Sequence, residues 1–152
     1  MLSVRQARYR DSASVGAFLA GLSVHSRQRR FFNSLPYVSP AFVRRMVTIT
    51  QSQLVLLALD RDTVVGHAMA VCAGDQGADV GIVVTDDYQR RGIGSDLLDH
   101  VTATMPELDI TELRCDILSE NYLALDWLRR RLPGIRFTRD AETMTGRWSS
   151  ER

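Results

Sequence analysis

The stretch Val83-Val84-Thr85-Asp86-Asp87-Tyr88-Gln89-Arg90-Arg91-Gly92-Ile93-Gly94-Ser95 is unlike the rest of the chain. It reads as the end of a buried strand, a short polar turn and the opening of a helix with two early glycines. A glycine inside a helix costs about 1 kcal/mol relative to alanine, so two in one first turn need a compensating role. Without a Cβ, the backbone amides of Arg91, Gly92, Gly94 and Ser95 can be approached closely by a ligand. First-turn N–H groups have no intrahelical partner, and the helix dipole adds positive potential there. The result suits an anion such as a pyrophosphate, with Arg90 and Arg91 adding formal charge beside it. The plain structural alternative is a glycine-tolerant helix start next to a solvated arginine pair. A dinucleotide site of the GxGxxG kind fails, because Leu97 stands where the third glycine belongs. A P-loop cannot be written, because the chain contains no lysine. Coenzyme A, which carries a pyrophosphate, is the remaining ligand reading.

Working outward, hydrophobic periodicity divides the chain into alternating elements. Upstream, Leu54–Leu59 and Val64–Cys72 read as strands joined by a turn at Asp60-Arg61-Asp62, and residues 79–84 as the next strand. Residues 3–9 form a first short strand. Asp11 or Ser12 can cap a helix with the stripe Val15, Phe18, Leu19 and Leu22. Ser39-Pro40 opens a second helix, with Phe42, Val43, Met46 and Val47 as its stripe. Downstream, Ile93, Leu97, Leu98, Val101 and Met105 form a third helical stripe, ended by Pro106. Leu113, Cys115 and Ile117 alternate with charged residues as in a half-buried strand. Residues 121–132 are helical and stopped by Pro133-Gly134. Residues 135–138 and 143–148 close the chain as an antiparallel pair. The expectation is one α/β (α+β) domain over 1–152, with six to seven strands in a mixed sheet and about four helices.

Composition narrows the function classes. All 19 basic residues are arginine, against 18 acids, for a net charge of +1. A near-neutral chain lacks the field that draws nucleic acid or an anionic membrane over distance. No apolar run approaches the roughly 20 residues that span a bilayer, and nothing at the N-terminus reads as a signal peptide. Cys72 and Cys115 are too few for a disulfide framework and have no zinc spacing. A cytoplasmic protein with no metal, nucleic-acid or membrane partner is expected.

Gln89-Arg90-Arg91-Gly92-Ile93-Gly94, read with Val83-Val84-x-Asp86-x-Tyr88, resembles the (Gln/Arg)-x-x-Gly-x-(Gly/Ala) signature of the GNAT acyltransferases. The element order resembles that family over nearly the whole chain. Asn121 stands where the family places an Asn at the start of the helix after its fifth strand, and Pro133-Gly134-Ile135-Arg136-Phe137 is similar to its Gly-Phe ending. Residues 22–32, with Ser26, Arg30, Phe31 and Phe32 in register, resemble a segment of bacterial Pat-type protein lysine acetyltransferases. Val24 and His25 depart from it. Ala78-Asp79-Val80 looks like that group's Ala-Glu-Val.

The resemblance implies direct transfer from acetyl-CoA to an amine, with no covalent enzyme intermediate. It implies a CoA site at the splay between strands 4 and 5. Ile82, Val83 and Val84 would bind the pantetheine arm by backbone, and Gln89, Arg90, Arg91, Gly92, Ile93, Gly94, Ser95 and Asn121 the remainder of the cofactor. Asp79 matches the family's catalytic Glu and is the candidate base. Being one methylene shorter, it calls for a bridging water, and burial would raise its pKa into a useful range. Leu128 falls where many GNATs carry a Tyr that protonates the departing thiolate, and it cannot donate. The acceptor is an amine, a protein lysine or a small molecule. A non-catalytic acyl-CoA-binding module is the alternative from another class. A homodimer is implied by resemblance alone.

The remaining reactive side chains read as structural. His25, His67 and His100 have no common spacing, and Cys115 alternates with apolar neighbours. Tyr88 and Tyr122 read as packing residues. Arg129-Arg130-Arg131 reads as a solvated helix face that could also reach the CoA 3′-phosphate. The Pat-like match assigns Arg30 a structural or loop-anchoring role.

Overall fold

The computed structural model describes residues 1–33 and 35–150. Its strands are β1 (Leu2–Gln6), β2 (Gln53–Asp60), β3 (Thr63–Cys72), β4 (Gly77–Val84), β5 (Glu112–Leu118), β6 (Arg136–Asp140) and β7 (Thr143–Ser149). They form one sheet in the order β1-β2-β3-β4-β5-β7-β6. All neighbours are antiparallel except β4 and β5. That parallel pair is joined only from Gly77–Asp79 to Glu112–Arg114. Beyond Asp79, β4 keeps β3 on one side and has no strand on the other, so the sheet opens into a cleft.

The helices are α1 (Ser12–Ala20), α2 (Val24–Phe31), α3 (Pro40–Arg45), α4 (Ile93–Thr104) and α5 (Tyr122–Arg131). They divide between the two faces. Leu54, Leu56 and Ala68 join the α4 residues Leu97, Leu98 and Val101 in one core. Val55, Leu57, Met69 and Val83 join Val15 and Leu19 of α1 in the other. The period of two along each strand sends successive side chains to opposite cores, so β2 and β3 are apolar on both faces.

Four of the helices follow the apolar stripes. The fifth, α2, carries no stripe, and its one buried side chain is Ser26. Ser23 caps it by accepting from the Ser26 amide at 3.1 Å, and Phe32 ends it with φ 60°. Ser39 caps α3 in the same way, by accepting from the Phe42 amide. Asp11 sits at the N-cap of α1 but does not cap it. It accepts instead from both terminal nitrogens of Arg5, each at 2.8 Å, and from the Arg8 amide at 2.7 Å. Those donors hold its carboxyl at about 2. Among the described residues, no helix is long and apolar enough to cross a membrane.

Candidate active site

The open end of the β4–β5 pair is a cleft of about 1070 Å³. Asp79, Ile82, Val83, Val84, Gln89, Arg90, Gly92, Ile93, Gly94, Ser95 and Asn121 all line it. Residues chosen from separate stretches of sequence therefore share one cavity. Arg91 is the exception. Its guanidinium lies 4.8 Å from the centre of the Tyr88 ring and does not line the cleft.

The turn at the mouth is held from several sides. Gln89 Nε2 donates to the Val84 carbonyl at 2.9 Å, closing the turn over the strand end. Asp86 Oδ1 accepts from Ser26 Oγ at 2.7 Å and from Ser23 Oγ at 3.1 Å, which ties α2 to the turn. Tyr88 lines the cleft, and its Oη donates to Asp60 Oδ2 at 2.6 Å, so the phenol proton is already engaged. Gly92 is the N-cap of α4 and has φ 85°, a left-handed conformation that glycine adopts without steric cost. No side chain caps α4. Its first-turn amides therefore face the cleft mouth without a capping partner. At Gly94 a Cβ would meet Trp127 at 3.7 Å. Trp127 in turn donates from Nε1 to Ser95 Oγ at 2.9 Å.

Asn121 lines the cleft while serving as the N-cap of α5, accepting from the Ala124 amide at 3.4 Å. Leu128 is buried in the cleft wall, with 4% of its surface exposed. Tyr122 is 72% exposed and lies outside the cleft. Neither tyrosine singled out in the sequence replaces the missing phenol. Cys115 lines the cleft, and burial pushes its thiol up to about 11, so it is a neutral packing group. Of the arginine triplet, only Arg130 reaches the cleft. Arg129 lies over the Phe137 ring, and Arg131 pairs with Asp99 at 2.7 Å.

Asp79 is not buried. Its side chain is 64% exposed, and Oδ1 lies 3.8 Å from Arg114 Nε. The sequence reading missed its surroundings. Gly77 and Gly81 flank Asp79 at alternate positions, so all three occupy the same face of β4. The space a Cβ would fill at Gly77 is taken by the Arg114 guanidinium, and at Gly81 by that of Arg30. The available signal was the spacing Gly77-x-Asp79-x-Gly81, whose glycines leave room for planar cations. Arg30 also lies 4.7 Å from the Phe31 ring centre. It anchors no loop. Arg27 does so, donating to the carbonyls of Ala20 and Leu35.

His67 is fully buried on this face, with Nε2 2.9 Å from the Met46 carbonyl oxygen. Burial first, and then the nearby charge of Arg30, lower its pKa to about 4, so the ring is neutral.

A sequence model of the acetyltransferase (GNAT) family matches residues 25–132. The chain belongs to this family. The family's chemistry, acetyl transfer dependent on acetyl-CoA, is the general activity that membership assigns. Solved structures agree on the fold. The GNAT domain of S. lividans PAT superposes with a TM-score of 0.89 at 22% identity, over 96% of this chain and 89% of that one. The PaiA N-acetyltransferase of Thermoplasma acidophilum, solved in complex with coenzyme A, gives 0.80 at 14% identity, over 98% and 99%. The ribosomal-protein-S18-alanine N-acetyltransferase of Escherichia coli gives 0.73 at 14% identity, over 98% and 94%. At these identities the likeness is one of fold. No curated protein matches the chain.

Proposed function

We propose that this GNAT protein is an N-acetyltransferase that passes an acetyl group directly from acetyl-CoA to a primary amine in the β4–β5 cleft. The observation that carries this reading is the end of parallel pairing at Asp79, directly upstream of the Gln89–Ser95 turn. An unpaired strand edge and an uncapped helix start lie along one cavity. They fit a thin, polar arm that ends in a pyrophosphate.

In this reading the backbone of Ile82, Val83 and Val84 binds the pantetheine arm as an added strand. The first-turn amides of α4, with Arg90, receive the pyrophosphate. Arg91 contributes through its packing on Tyr88. Acetyl-CoA supplies an activated acyl group as a thioester. A backbone amide near Val83 is placed to polarise its carbonyl. The chain's own task is to deprotonate the amine, since an ammonium has no lone pair. Asp79 does this through water, consistent with its short side chain and its exposure. Leu128 cannot donate and the Tyr88 phenol is committed to Asp60, so the leaving thiolate takes its proton from solvent. The two unpaired cysteines fit a reducing, cytoplasmic setting.

Calorimetry with acetyl-CoA and with desulfo-CoA tests the cofactor half. Both should bind with one-to-one stoichiometry, and the absence of binding at millimolar ligand would overturn the reading. Calorimetry alone does not distinguish an enzyme from a sensor. Acceptor-dependent thiol release does.

A further inference from the structure

One charge that lines the cleft has no counter-ion among the described residues. Arg30 lines the cavity, yet its Nε is closed off from solvent and makes no hydrogen bond. Among the described residues the guanidinium has no ion pair, only the faces of Gly81 and Phe31. The residue as a whole is half-buried, so its charge is only partly removed from water, and a counter-charge would offset that cost. Burial lowers the Arg30 pKa only to about 10, so the group stays cationic at neutral pH.

The surroundings define what could pair with it. Gly81 is two residues beyond Asp79 on the same face, about 6.7 Å along the strand. The acid on that strand face, Asp79, is already beside Arg114. Arg29, Arg45 and Arg147 also line this cavity, and Asp79 and Asp116 are its only lining acids among the described residues. The rest of the wall near Arg30 is apolar. Phe31 and Phe42 meet edge to face at 5.3 Å, and Met46, Met69 and Val71 complete that side.

We infer that the acceptor is a small amine that carries its own carboxylate, an α-amino acid with an apolar side chain. The carboxylate pairs with Arg30, the amine sits toward Asp79, and the side chain rests on Phe31, Phe42 and Met69. A planar guanidinium binds a carboxylate through two parallel hydrogen bonds, which fixes orientation as well as adding affinity. A protein lysine has no carboxylate near its amine, and would leave Arg30 without a counter-charge. This inference rests on the acetyltransferase reading above.

The test compares thiol release from acetyl-CoA with three acceptors: phenylalanine, phenylalanine amide, and a lysine peptide blocked at its N-terminus. The amino acid should exceed the other two by about tenfold or more in kcat/KM, since hydrogen bonds to a charged group contribute on that scale. Arg30→Gln should raise KM for phenylalanine by about tenfold or more and abolish its preference over the amide, leaving acetyl-CoA binding intact. Arg30→Lys, which keeps the charge and loses the fork, should give a smaller rise and guards against a folding defect. Equal or better use of the amide or the lysine peptide overturns the inference while leaving the acetyltransferase reading standing. If no acceptor is turned over, calorimetry of N-acetylphenylalanine against its amide, with CoA present, still decides. Tighter binding of the acid, lost in Arg30→Gln, supports the carboxylate site, and equal binding overturns it.

Discussion

Single residues carry the sharpest chemical claims. Asp79→Asn should lower kcat/KM by about a hundredfold with acetyl-CoA binding retained, because a positioned base contributes on that scale. An unchanged kcat/KM would exclude Asp79 as the base. Asp11 makes a separate claim about stability. Its folded pKa of about 2 lies below the ordinary carboxylate value of 3.8. The stabilisation is therefore complete above pH 4 and is lost as pH falls through 2. Asp11→Asn should destabilise by about 2 kcal/mol at pH 7, by urea denaturation, with the gap closing near pH 2. At this scale the sequence was partly legible. The signature residues Gln89, Gly92 and Gly94 gave the turn, because backbone chemistry leaves a mark in glycine placement. Asp79 could be selected but its exposure could not, since that depends on Gly77, Gly81 and two arginines that come from α2 and β5. Arg30 looked structural because its lack of an acidic partner is visible only in three dimensions.

Elements position those residues. Strands and apolar helices could be read from their periods, and the cap Ser39 came with them. The helix α2 was not legible from pattern, because its face toward the site is polar and its ties are the hydroxyls of Ser23 and Ser26 to Asp86. Asp86→Ala should loosen α2 while the sheet stays folded, read as faster amide exchange over residues 24–31 and a loss of about 1 kcal/mol. Exchange confined to the β4–α4 turn would show that α2 is held by something else. At the other side of the turn, Gly92→Ala places a Cβ at φ 85° with open space around it. The expected penalty is about 1 kcal/mol, from backbone strain and not from a clash.

The whole molecule adds the setting. Its near-neutral charge conceals an uneven distribution, with arginines concentrated on one cleft. Its acid stability should fall in two stages. Burial holds His67 at about 4, below the ordinary imidazole value of 6.5. Its contribution is present above pH 6.5 and is lost as pH falls toward 4, at no more than about 1.4 kcal/mol per pH unit. Asp11 adds a second decline below pH 4. Urea midpoints across this range should show both, and His67→Gln should remove only the first. Family membership and fold leave one question open to direct measurement, which is whether the cleft performs transfer or only binds CoA. Thiol release from acetyl-CoA, coupled to mass spectrometry of the acceptor, answers it. The expected result is release that depends on the amine and matches N-acetylated product one to one. Tight acetyl-CoA binding with no amine-dependent release across amino acids, polyamines and lysine peptides would contradict the enzymatic reading and leave a CoA-binding module.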